Sequence, residues 1–138
     1  KIGFVKDLKE LLHMPVIIIG NFIGTYLAAF LIKAAHLNID SSELVNRKLN
    51  NDVLPVFILS VFCGVMMYLA IDNYNKSKNI LFIIAPVMIF ILSGFEHSIA
   101  NMFYFNLAGT YSLKSFCYLI VMLTGNGIGA KLFSLKPE

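Results

Sequence analysis

From residue 16 to about 37 the chain reads VIIIGNFIGTYLAAFLIKAAHL, an apolar run long enough to cross a bilayer as one helix. Such a run narrows the fold at once, because only helices and closed barrels satisfy every backbone polar group inside hydrocarbon. Comparable runs follow at about 53–71, 80–106 and 113–133. The expectation is an all-α transmembrane protein, one integral membrane unit over 1–138 with no separate soluble domain. Composition agrees: 58% of residues are hydrophobic, 14% are charged, and the mean hydropathy is +0.77. Pro55 falls in the first turn of its run, where a helix tolerates proline. Lys33 and His36 fall near the end of theirs, where polar tips can reach headgroups. Ahead of the first run, residues 1–15 mix charged and apolar types, and Phe4, Leu8, Leu11 and Leu12 share a helical face suited to a membrane surface. The stretch 38–52 reads as a polar, turn-rich loop, and DNYNKSKN at 72–79 as a shorter one.

The net charge of +3 is modest and its basic residues sit in loops, so no nucleic-acid partner is expected. Lys1, Lys6, Lys9, Lys76, Lys78, Lys131 and Lys136 fall on one side of the membrane, and Lys33, Arg47, Lys48 and Lys114 on the other. The positive-inside rule then puts both chain ends in the cytoplasm, as in a bacterial inner-membrane protein with lipid as its surroundings. No signal peptide is expected, because the first residues are charged and no span begins before Val16. Cys63 and Cys117 lie within apolar runs and are expected to be small buried hydrophobes, not a disulfide, redox pair or metal ligands. His13 and His36 lack ligand spacing, so neither a metal nor a cofactor is expected.

The third run is too long for a straight span and is interrupted by SGFEHSIANMFYF at 93–105. Ser93 and Glu96 have the spacing of a capping box, which predicts a helix starting there, in mid-membrane, with Glu96 in a structural role. A break at Ser93-Gly94 is tolerable only if it packs on protein or lines a cavity. His97 and Asn101, four residues apart, then share one face of the restarted helix, with Phe90 and Ser93 leading toward it. An intramembrane ionisable group marks a transport route by default, against the alternative of a hydrogen-bonded core histidine.

A second signal is a repeat. GNFIGT at 20–25 and GNGIGA at 125–130 share one pattern, in the first and last spans, which run in opposite directions. Inverted halves of this kind are typical of channels and transporters. Gly20/Gly24 and Gly125/Gly129 also have the spacing of close helix-packing faces, with Asn21 and Asn126 beside them.

GFEHSIANMF together with the two GN-x-x-G motifs resembles the formate/nitrite transporter family, which includes hydrosulfide channels. The resemblance runs from about Leu11 to Phe133 and corresponds to the third to sixth spans of a six-span fold, so the chain reads as a piece lacking the first two. It implies an aquaporin-like inverted-repeat bundle with a broken pore helix, assembled as a homopentamer. Carried over by position, His97 matches the central pore histidine, Asn101 its amide partner, Phe90 an aromatic of the hydrophobic constriction, and Lys48 the lysine that draws anions into the outer vestibule. FCGVMMYLAI departs from the pattern: Gly64 stands where many formate channels have a pore asparagine, and Met67 where they have a smaller apolar residue. Loss of an amide there suits a compact substrate such as hydrosulfide.

The function this implies is passage of a small monovalent anion of a weak acid, hydrosulfide, formate or nitrite, with protonation assisted by His97. A neutral-solute pore for water or glycerol shares the repeat without needing Lys48 or a titratable His97, and a structural membrane subunit is the third reading. An enzyme is disfavoured, because adjacent helical residues such as Glu96 and His97 point about 100 degrees apart.

Overall fold

The computed structural model describes residues 12–134. The amphipathic segment expected at 1–15 therefore lies, up to residue 11, outside the described residues. The described elements are all helices: α1 (Met14–Ala34), α2 (Ser42–Leu49), α3 (Val53–Ser77), α4 (Leu81–Leu92), α5 (Ser98–Ala108) and α6 (Leu113–Ser134). By length and apolar composition α1, α3 and α6 can each cross a membrane. At 1.5 Å per residue α4 and α5 are each only about 16–18 Å long. Neither alone crosses a hydrocarbon core of about 30 Å, but end to end they form one broken crossing.

Two boundaries differ from the sequence reading. The stretch 38–52 is not wholly loop, because Ser42–Leu49 is helical. Val45 and Leu49, four apart, bury one face of α2, and Asp40 accepts the Ser42 N–H at its start (2.8 Å). The Ser42 backbone and hydroxyl hydrogen bonds hold the Asp40 carboxyl below the usual carboxylate range. The expected loop at 72–79 is instead the last turns of α3, which runs on to Ser77. An i,i+4 ion pair, Asp72 to Lys76 at 3.0 Å, suits a helical continuation. The helix stops where Lys78 turns left-handed, at φ +58°.

The tightest packing joins α3 to α6, and glycine makes it possible. A Cβ on Gly64 would overlap the Asn126 carbonyl, one on Gly129 the Val61 carbonyl, and one on Gly125 would come within 2.6 Å of the Ser60 Cβ. The repeat's second copy is thus a helix-packing face, with backbones in near contact. Gly129→Ala is expected to destabilise the chain by about 1–3 kcal/mol through overpacking against a backbone that cannot yield. Thermal unfolding in detergent checks this; an unchanged midpoint would mean that the two helices separate freely.

α1 packs chiefly on α5. Ala29 is its buried residue, and Asn106 of α5 donates to the Thr25 hydroxyl (3.1 Å) while accepting from Tyr111 (3.2 Å). Lys33, expected to reach for headgroups, instead donates to the Asn106 carbonyl at the C-terminal end of α5 (3.4 Å), where a cation is favoured. Of the two cysteines, Cys63 is buried as expected, but Cys117 is exposed on the outside of α6. That residue belongs to the apolar exterior, with Phe116 and Ile120.

Candidate functional site

The break between α4 and α5 is built from local chemistry. Ser93 is the C-cap of α4, and Gly94 follows at φ +67°, a conformation open to glycine because it lacks Cβ. The Gly94 N–H donates to Ile91 O (3.2 Å) and the Phe95 N–H to Phe90 O (3.0 Å). These are the paired bonds of a Schellman stop. The chain restarts at Ser98, with His97 as N-cap: its Nδ1 accepts the Ala100 N–H at 3.3 Å. This corrects the expected Ser93–Glu96 capping box. Ser93 closes the preceding helix, and the cap that opens the next is the imidazole itself.

Backbone groups freed at the break are taken up by Asn126 of α6. Its Oδ1 accepts the Ser98 N–H (2.9 Å), and its Nδ2 donates to Glu96 O (2.8 Å) and Ser60 O (2.8 Å). One amide thus grips the peptide groups on both sides of His97 and ties them to α3. Satisfaction of this kind is what allows an interrupted helix at membrane depth.

Glu96 is 4% exposed and points into an ion pair, its Oε2 accepting from Lys48 Nζ at 2.6 Å. The same oxygen accepts from Asn101 Nδ2 (2.8 Å), which also donates to the His97 carbonyl (2.9 Å). Asn101 is therefore the partner of the His97 backbone and of Glu96, not of the imidazole. It is 1% exposed, and its Oδ1 has no hydrogen-bond partner. Lys48, expected as a free cation at the vestibule, stands instead as half of a pair.

Two cavities meet at this break. One, of about 260 Å³, is walled by α1, α3, α5 and α6 and lined by Asn21, Gly64, Met67, His97 and Asn126 among others. The other, of about 410 Å³, is lined by Lys48, Phe90, Glu96, His97 and Asn101 with Phe95 and Tyr104. His97 borders both. Phe90 stacks on it, ring centroids 5.6 Å apart and planes inclined by 26°. With Nδ1 accepting from Ala100, the neutral ring carries its proton on Nε2.

The residues singled out in the sequence thus divide between the cavities. Phe90, Lys48 and Asn101 lie on one side, Gly64 and Met67 on the other, and His97 on both. Gly64 needs a different explanation from the one its sequence position offered. Any side chain there would overlap Asn126, so packing demands the glycine, and the amide at this level of the cavity comes from α6. Sequence reasoning missed the Asn126 grip and the Lys48–Glu96 pair. The repeat flagged Asn126 without a role, and the pair joins residues too far apart in sequence for spacing to connect them.

Comparison with known proteins agrees with this geometry. The family model for the formate/nitrite transporter matches residues 5–136. A formate channel from Haemophilus influenzae is 26% identical over 113 residues, covering 73% of this chain and 40% of that protein. A formate-nitrite transporter from Plasmodium knowlesi is 24% identical over 156 aligned residues, covering 96% of this chain and 50% of its own length. The chain thus spans half or less of the curated relatives it matches. A solved structure, an FNT family ion channel, superposes with a TM-score of 0.85 over 95% of this chain and 59% of that one, at 23% identity. That likeness is one of fold: an all-helical transmembrane bundle with inverted repeats and a broken helix. With the family model spanning nearly all of it, the chain belongs to the formate/nitrite transporter family.

Proposed function

We propose that the protein carrying this chain conducts small monovalent anions of weak acids, with formate, nitrite and hydrosulfide as the class, past a hydrophobic slot at Phe90 with His97 assisting protonation. The substrate class follows the printed names of the relatives, a formate channel and a formate-nitrite transporter. The observation that carries the reading is that His97 borders both cavities, with Phe90 stacked on it. An anion crossing such a slot sheds hydration in a low-dielectric wall, which is costly for a charge and far cheaper for the neutral acid. His97 lowers the cost by giving up a proton or by donating an ordered hydrogen bond. Its Nδ1 is already engaged by Ala100, which favours the second route, with Nε2–H as the donor. The cavity beyond is largely apolar and includes Met14, Met67 and Met102. A compact, weakly hydrated species suits it, and hydrosulfide fits best within the class. The assembly is a homopentamer with both chain ends cytoplasmic, and it is a conduit, not an enzyme.

Iso-osmotic flux into proteoliposomes of the purified protein tests the reading. Formate, nitrite and hydrosulfide are expected to enter faster as external pH falls, by up to about tenfold per pH unit, since one proton accompanies each anion. Glycerol is expected to be excluded. A neutral-solute pore is the competing reading, and pairing of the Lys48 charge by Glu96 favours it. Equal glycerol entry with no pH dependence would decide for that pore.

A further inference from the structure

The two copies of the repeat are used unequally. In α6, Gly125 and Gly129 meet α3, while Asn126, about 100° further round the helix, grips the backbone at the α4–α5 break. In α1, Cβ positions built at Gly20 and Gly24 meet nothing within 4 Å among the described residues. Asn21 lines the cavity at His97, opposite Asn126, and no described residue hydrogen-bonds its amide. The contacts of α1 with α5 run through another face, with Thr25 and Ala29. Along the glycine face Leu27 and Leu31 are exposed, at 53% and 64%.

We infer that Gly20, Asn21 and Gly24 form a dock for a helix pair made like α3 and α4–α5 but running the opposite way. A straight helix with small residues covers the two glycines, and Asn21 holds the backbone at the break of a second, interrupted helix. Two features commit the dock to this occupant. The motif's other copy performs both tasks within the same molecule, and a half-buried amide between a glycine face and a cavity suits interrupted backbone, since lipid tails have no polar group to offer it. The chain's matched relatives are about twice its length, which leaves room in proteins of this family for such a pair. Seated there, the second break would face His97 across the cavity.

The test reads helix contact, not flux, so it stands or falls apart from the permeation reading. A photo-crosslinking benzoylphenylalanine replaces Leu27 in the protein expressed in its own membrane, and the adduct is located by peptide sequencing. The expected adduct lies in an apolar helix outside residues 1–138, immediately ahead of an interrupted one. Asn21→Leu, close in size but unable to pair with backbone, is expected to reduce that adduct at least fivefold. Gly24→Ile, which fills the face without touching α5, is expected to shift the adduct to lipid. Adducts with lipid alone, with a second copy of this chain, or with no partner overturn the inference. So does an adduct that neither substitution changes.

Discussion

His97→Phe is expected to lower anion flux by on the order of 100-fold, the usual scale for loss of a positioned proton donor, and to flatten its pH dependence. The substitution also removes the cap that satisfies the Ala100 N–H, a loss of about 1 kcal/mol in helix stability. Two effects are therefore mixed in one variant, and a second separates them. Asparagine accepts a backbone N–H well at an N-cap but neither titrates nor offers an imidazole N–H. His97→Asn should keep α5 anchored and still lose the pH-dependent flux. Flux measured in proteoliposomes, beside thermal stability of the same preparations, gives the answer. Full flux in His97→Asn with loss only in His97→Phe would reduce the histidine to a cap. Full flux in both would remove it from the permeation route.

Sequence carried the membrane crossings and the interruption because both rest on strong local terms. A long apolar run has few alternatives in a bilayer, and Gly94 supplies the left-handed turn that ends α4. The restart was misread because two local caps competed. Ser93 and Glu96 have the right spacing, but once Gly94 ends the preceding helix Ser93 is consumed as its C-cap. Glu96 is taken by Lys48, and the imidazole is the acceptor that remains for Ala100. The α2 helix was hidden by its polar composition: only Val45 and Leu49 show its face, and their burial depends on α5 and α6. Gly64 looks like a missing pore amide in one dimension and a close-packing residue in three. The contact that decides between them belongs to Asn126, on another helix.

Lys48→Met is expected to destabilise the protein by about 3–5 kcal/mol, the cost of leaving a buried carboxylate without its partner. Glu96 is well suited to suffer this, being 4% exposed with Asn101 Nδ2 as its other donor. The flux should fall as well, with a sign that separates pairing from simple attraction. A lone lysine steering anions would lose only its long-range pull, an effect that salt erases. A paired lysine, once removed, unmasks a carboxylate in the wall of the cavity, next to His97, and the anion meets repulsion at short range. Glu96→Gln alone should keep an oxygen for Asn101 and leave Lys48 uncompensated, so anion entry is expected to rise, most at low ionic strength. Lys48→Met with Glu96→Gln removes both charges and should recover most of the stability lost in Lys48→Met. Thermal unfolding and flux across this double-mutant cycle measure the coupling directly. Additive effects, with the double variant as unstable as the sum of the singles, would mean that Lys48 and Glu96 act independently and that the ion pair does not hold the break.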